Sequence, residues 1–298
     1  MVLVVALLVA TAAAFALTEG LKLEQSPIFG TRVTKVFSPA LGRAEISFRL
    51  RQADTVRISL VDGAGDVVRT LVDRHYGTGR VTVVWDGRDD DRNVLPEGAY
   101  KPRVHLSGAR RTIELPNPIR VDTAGPEILS SDVSPLVFSP DGDGRADRVI
   151  VRYRLDEPGR MLLYVSAKRR VLTRFARKED ALRWYGIVNG KPLRAGSYPF
   201  MLRAIDPARN LGAPVFGSLR VRYVEVPEKA IRTVAGTRFR IQVDADARTV
   251  RWRFAGGTGK SEPGLLSLRA PSVPGEYTLY VAVGKHAAKA TVAVEPRG

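Results

Sequence analysis

The sequence predicts an all-β chain of tandem β-sandwiches behind an N-terminal hydrophobic helix. The first observation is alternation. Val56-Arg57-Ile58-Ser59-Leu60, the run 149–155 (VIVRYRL), the run 239–243 and the run 250–254 each place apolar and polar residues in turn. That period is the signature of antiparallel strands with one face on a core and one in water. The second observation is punctuation: after residue 35, Gly, Pro and Asp break the runs at short intervals, as the turns of a sandwich do. The third is repetition. Val36-Phe37-Ser38-Pro39 returns 101 residues later as Val137-Phe138-Ser139-Pro140, Trp85 returns after 99 as Trp184, and Gly98-Ala99-Tyr100 after 98 as Gly196-Ser197-Tyr198. Phe48-Arg49-Leu50 is matched, 105 residues on, by Tyr153-Arg154-Leu155. Landmarks in one order at nearly one spacing imply tandem modules of about a hundred residues, the size of one sandwich.

Taken in order, residues 1–18 carry no charge, and Val2 to Leu17 are Val, Leu, Ala and Phe with one Thr. A run of that length is expected to be a transmembrane anchor or a signal peptide, and Ala14-Phe15-Ala16 offers a small-x-small pattern for cleavage after Ala16. Residues 19–35 read as a linker, 36–121 as the first module, 122–226 as the second and 227–298 as a third, shorter sandwich. The third is marked by Gly275-Glu276-Tyr277, which opens another apolar run, and by the strand-like 290–294. Residues 117–122 and 224–227 look like short stiff linkers between modules. Helical spacing is arguable beyond the N-terminus only from Arg170 to Trp184.

Several landmarks have a local physical role. Asp62-Gly63-Ala64-Gly65-Asp66 between two apolar runs is a hairpin signal. In Trp85-Asp86-Gly87 the tryptophan ends a Val-rich strand, and Asp-Gly then supplies a turn with one residue at positive φ. Tyr100 can bury its ring while its hydroxyl returns to the backbone. The three tryptophans, Trp85, Trp184 and Trp252, all fall in expected core slots.

The order VRISLVDGAGDVVRTLV followed by VVWDGRDDDRNVLPEGAY resembles the FlgD-type immunoglobulin-like repeat of bacterial extracellular proteins, with residues 36–107 covering a whole module. The second module is similar but diverged. FSPDGDGRADRVIVRYRL resembles the family's opening, while Trp184-Tyr185-Gly186 stands where the family has Trp-Asp-Gly, and Ala167-Lys168-Arg169-Arg170 where it has its hairpin. The third segment resembles bacterial Ig-like domains generically. The resemblance implies Ig-like sandwiches that serve as spacers, surface-exposed binding units or appendages to enzymes. The namesake flagellar hook-assembly scaffold is a remote alternative, because its hook-binding N-terminal segment is replaced here by an apolar run.

Composition excludes much chemistry. With no cysteine, disulfide scaffolds, thiolate zinc sites, iron–sulfur clusters and cysteine nucleophiles are ruled out, and three histidines (His75, His105, His286) make a histidine-rich metal centre improbable. No G-x-S-x-G, H-E-x-x-H or G-x-G-x-x-G occurs. Ala255-Gly256-Gly257-Thr258-Gly259-Lys260-Ser261 has Phe254 where a phosphate loop needs glycine, and Pro263 interrupts the helix that would have to follow, so it reads as a hairpin loop. The chain is therefore expected to be no enzyme and to need no cofactor.

One metal candidate remains. Asp141, Asp143 and Asp147 are spaced as calcium ligands are, but Arg145 and Arg152 occupy the fifth and twelfth positions, which favours a turn whose Asp side chains bond their own backbone. Asp86, Asp89, Asp90 and Asp91, flanked by Arg88 and Arg92, read as a solvated acidic loop. The net charge of +16, from 47 Lys plus Arg against 31 Asp plus Glu, sits largely on strand faces. It points to polyanionic neighbours, namely anionic envelope polymers or lipid head groups, with a membrane contact through the N-terminal helix. Arg110-Arg111 and Lys168-Arg169-Arg170 could bind phosphates, but aromatics are 7% and sit mostly in core slots, so nucleic acid is an unfavoured partner and no protein partner is indicated. The expected location is the cell membrane with the β-domains on the extracytoplasmic side, or the medium if the chain is cleaved after Ala16.

Overall fold

A computed structural model describes residues 10, 11 and 25–298. The expected N-terminal helix, 1–18, therefore lies outside the described residues except at Ala10 and Thr11. Among the described residues, no helix is long and apolar enough to cross a membrane. From Ile28 onward the regular structure is β-strand. The chain divides into two compact units, the first reaching Ala124 and including Pro207–Asn210, the second comprising Gly125–Asp206 and Leu211–Gly298.

The first unit is one sandwich. Ile28–Val33, Ala44–Leu50 and Gly79–Trp85 form one sheet; Val36–Phe37, Ile119–Val121, Gly98–Leu106, Asp54–Val61 and Val67–Tyr76 form the other, with Arg111–Glu114 folded back on Gly98–Leu106. Antiparallel pairing sets Ala44 opposite Trp85 and Phe48 opposite Val81, and Val36–Phe37 runs parallel to Ile119–Val121. Inward residues of both sheets, among them Phe37, Ile46, Phe48, Ile58, Leu60, Trp85 and Ile119, make one buried cluster. Ile119–Val121, expected as linker, is thus a strand: its backbone pairs on both edges, and Ile119 and Val121 are fully buried.

The second unit holds two sandwiches. In the first of these, the 17-residue strand Val149–Val165 serves both sheets. Its first half pairs with Ile128–Ser134 and Arg177–Trp184, its second half with Lys168–Leu172 and Gly196–Ile205, and the register breaks between Arg154 and Gly159. A bend of this kind lets one strand turn the corner between packed sheets. The stretch with arguable helical spacing is therefore strand: Arg177–Trp184 pairs along residues 149–159, and Leu182 and Trp184 are buried while Arg183 faces out. Strand pairing satisfies the backbone there, and the period that buries side chains is two.

The last sandwich sets Ala230–Val234, His286–Glu295, Gly275–Val283, Val250–Phe254 and Gly257–Ser261 in one sheet and Arg238–Val243 with Gly264–Arg269 in the other. Val226, expected in a linker, is fully buried in this core, and Glu225 exchanges both backbone hydrogen bonds with Asp244 at 2.8 Å. Trp252 lies at the rim of the core, not inside it, with its ring so close to Gly259 that a Cβ there would stand 2.5 Å from Cζ2.

Candidate functional site

What repeats between modules is packing. Phe37 and Phe138 each lie against a tryptophan, Trp85 at 5.4 Å and Trp184 at 5.9 Å between ring centroids. The glycine two residues after each tryptophan adopts positive φ, +80° at Gly87 and +64° at Gly186, and faces the proline of the Phe-Ser-Pro segment. A Cβ would stand 2.5 Å from Pro39 Cγ in one module and 2.9 Å from Pro140 Cγ in the other. The residue between differs, Asp86 in one module and Tyr185 in the other. Tyr100, Tyr198 and Tyr277 each donate a hydroxyl hydrogen bond at 2.9 Å to the carbonyl four residues back, on Pro96, Arg194 and Val273. The third sandwich thus shares this corner with the other two.

The hairpin loops are closed by side chains. Asp62 Oδ1 accepts from the amides of Ala64, Gly65 and Asp66 at 2.9, 3.0 and 3.0 Å. In the second module the tip is Ser166-Ala167, at φ +50° and +61°, a conformation that glycine or asparagine adopts more readily. The Gly-rich segment 255–261 is the turn and return strand of a hairpin, with Phe254 opposite Gly257. In the acidic loop, Asp86 accepts from the Arg88 amide, Asp89 from the Asn93 amide and side chain, and Asp90 from the Thr70 amide.

The loop 141–147 uses its carboxylates in two ways. The two oxygens of Asp147 accept the amides of Gly142 and Gly144 at 2.6 and 2.7 Å, and Asp143 accepts the Arg145 amide at 2.8 Å. Asp147 therefore closes the loop and is not among the clustered carboxylates. The third member of that cluster is Asp246, from the last sandwich: Asp141, Asp143 and Asp246 each place an oxygen within 4.8 Å of the others. Ser139 donates a short hydrogen bond to Asp246 Oδ2, Arg145 donates to the Asp246 carbonyl at 3.1 Å, and Asp246 Oδ1 is buried without a partner. Burial pushes the Asp141 and Asp246 carboxyls up, and the neighbouring carboxylates add to it. No sequence signal could have joined Asp246 to a loop about a hundred residues upstream.

A cavity of about 420 Å³ adjoins this cluster, lined by Pro140, Asp141, Asp143, Lys285 and His286 among others. His286 stacks on Tyr223 with centroids 3.6 Å apart and planes within 2°. Burial pushes the imidazole down, Lys285 pushes it further, and Asp141 opposes them. The two rings pack face to face.

Outside the cores the aromatic rings carry guanidinium groups. Phe175, 53% exposed, has Arg174 and Arg177 at 5.1 and 5.6 Å from its centroid; Arg148 lies 5.9 Å from Tyr185 and Arg253 4.9 Å from Tyr280. Such pairs keep cations at the surface beside flat apolar faces.

The first sandwich matches a known family. Residues 34–109 match the model of the FlgD Ig-like domain, and that span contains the Phe-Ser-Pro segment, Trp85-Asp86-Gly87 and Gly98-Ala99-Tyr100. No curated protein matches the chain. Among solved structures, the titin I67–I69 E-to-A variant is 14% identical and covers 92% of this chain and 100% of its own, with a TM-score of 0.32. The fibronectin(III)-like modules of Clostridium thermocellum CbhA are 14% identical over 64% of this chain and 93% of theirs, at 0.35. FlgD from P. aeruginosa is 18% identical over 44% and 89%, at 0.25. None of the three reaches a TM-score of 0.5.

Proposed function

We propose that the protein is a non-catalytic envelope protein, exported or membrane-anchored, that presents Ig-like modules as spacer and binding units. The observation that supports this reading most is the division between what repeats and what varies. The repeated elements are buried packing and backbone closure, whereas the largely exposed hairpin tip changes from Gly63-Ala64-Gly65 to Ser166-Ala167-Lys168-Arg169. Scaffold is kept and surface diversified, as expected of modules whose contacts lie on strand faces and loops. The apolar run from Val2 to Leu17 supports the anchor, and the match at residues 34–109 supports the module type. The basic faces would meet anionic wall polymers or lipid head groups, and that attraction weakens with salt.

An accessory role in an exported enzyme or polysaccharide-binding system is the second reading, its polysaccharide form favoured by exposed rings such as Tyr185 and Tyr280, at 50% and 41%. A flagellar hook-assembly role has only the module match in its favour.

Fractionation of the native host with mass spectrometry of the mature N-terminus tests the proposal. Residues 1–18 retained in the membrane fraction, with the β-domains cleavable by external protease, support the anchor; cleavage after Ala16 and recovery from the medium make it secreted. A cytosolic chain refutes both forms.

A further inference from the structure

Gly125–Asp206 and Leu211–Gly298 form one compact unit, and within it a groove of about 950 Å³ runs between the two sandwiches. On one wall it meets the end of a strand pair in which Ser197 faces Arg220; on the other it meets a ladder that sets Thr278 against Thr291 and Tyr280 against Lys289.

The charges do not cancel. Arg220, Arg222, Lys229 and Lys289 line the groove against one carboxylate, Glu225. Both oxygens of Glu225 are taken by Arg220 at 2.7 Å, and Arg222 is held by Asp244 at 3.2 Å. Lys229 donates to the Val226 carbonyl at 2.6 Å but has no carboxylate partner among the described residues, and Lys289 has no ion pair there at all. Two ammonium groups are therefore left to attract an anion. Lys289 lies in His286–Glu295, and Lys229 immediately precedes Ala230–Val234, the strand paired with it, the Thr291 amide donating to the Lys229 carbonyl at 2.9 Å.

Beside them the Tyr280 ring is 41% exposed, with the Arg253 guanidinium 4.9 Å from its centroid. The hydroxyls of Ser197, Thr278 and Thr291 complete the lining. A flat ring, a row of hydroxyls and unpaired ammonium groups in a concave trough match a sugar ring that carries acid groups. A planar bilayer surface does not enter a trough, and a bare polyanion has no use for the ring.

We propose that this groove binds an anionic glycan, a sugar chain bearing carboxylate or phosphodiester groups, with a sugar ring on Tyr280 and the acid groups on Lys229 and Lys289. The inference rests on the envelope-facing reading above, which supplies such polymers.

The test is titration of the full chain with oligogalacturonate, with its carboxyl-reduced neutral counterpart, with poly(glycerol phosphate) and with phosphatidylglycerol vesicles. Saturable binding of oligogalacturonate and none of its neutral counterpart is expected, with poly(glycerol phosphate), which carries the charge but no sugar ring, binding more weakly. Lys229→Ala and Lys289→Ala should each weaken binding up to about fivefold at low salt, and Tyr280→Ala roughly tenfold or more. All three positions are exposed, so unchanged melting curves will show that the variants fold. Binding that survives all three substitutions overturns the groove and leaves the strand faces as the binder. Failure of oligogalacturonate to bind, or binding of poly(glycerol phosphate) or vesicles alone, overturns the glycan. Fractionation, which uses no ligand, separates either failure from a failure of the envelope reading.

Discussion

Alanine at Gly87 would place a Cβ 2.5 Å from Pro39 Cγ, 2.9 Å from Pro39 Cβ and 3.3 Å from Phe37 Cζ, at φ +80°. Two costs add. Holding a residue with a Cβ at positive φ costs roughly 1–2 kcal/mol, and forcing an atom into a packed contact costs roughly 1–3 kcal/mol. The proline ring cannot swing aside as a flexible chain would, because Val36–Phe37 is tied into its sheet by the parallel pairing to Ile119–Val121. About 2–5 kcal/mol of destabilisation follows, a large share of the 5–15 kcal/mol or so typical of a whole domain. Gly65 is the control: its φ is +95° and a Cβ added there would meet nothing within 4 Å, so Gly65→Ala should cost only the backbone part, about 1–2 kcal/mol. The assay is urea-dependent hydrogen exchange by mass spectrometry on the full chain. Peptides from Ala44–Leu50 and Gly79–Trp85 report on the first sandwich, and those from the second unit serve as an internal reference. If Gly87→Ala and Gly65→Ala differ by less than about 0.5 kcal/mol, steric contact is not why glycine stands after Trp85-Asp86.

The same experiment in the second sandwich, Gly186→Ala against Gly190→Ala, should reproduce the difference, since Gly186 faces Phe138 and Pro140 while Gly190 meets nothing within 4 Å. Tyr100→Phe, Tyr198→Phe and Tyr277→Phe should each cost about 1 kcal/mol, the net worth of one hydrogen bond, and each loss should appear only in the module that carries it. Acid should act on the two units with opposite sign. In the first unit, hydrogen bonds from the Thr123 side chain and from the Thr123 and Ala124 amides hold Glu97 below its ordinary 4.5, so its contribution is present above that pH and lost as pH falls through the lowered value; Glu97→Gln should remove this share of the dependence and leave that of Asp54, also lowered. In the second unit, burial and like charges raise Asp141 and Asp246 above their ordinary 3.8, so their penalty is absent below that pH and grows as pH rises through the raised values. Asp246→Asn keeps an acceptor for Ser139 and removes the charge. It should make the second unit more stable at neutral pH and flatten its pH profile, and a less stable variant would contradict the repulsion.

Whatever depends on neighbouring backbone is legible in the sequence. Period-two alternation placed the strands, Asp-Gly and Gly-x-Tyr marked turns and corners, and the spacing of Phe-Ser-Pro, Trp and Gly-x-Tyr pointed to the ring packing that two sandwiches share. These features are legible because a dihedral preference or a two-residue period acts over a few bonds. What depends on residues far apart in the chain emerges only in the fold. Ile119–Val121 and Val226 looked like linker because their partners, Val36–Phe37 and the last sandwich's core, are distant in sequence. Arg177–Trp184 is strand because residues 149–159 lie alongside it. Asp147 closes its own loop through short-range amides, whereas Asp246 joins Asp141 and Asp143 only once two sandwiches are folded. Lys229, Tyr280 and Lys289 line one groove for the same reason: strand register and sandwich packing, not local spacing, bring such side chains together.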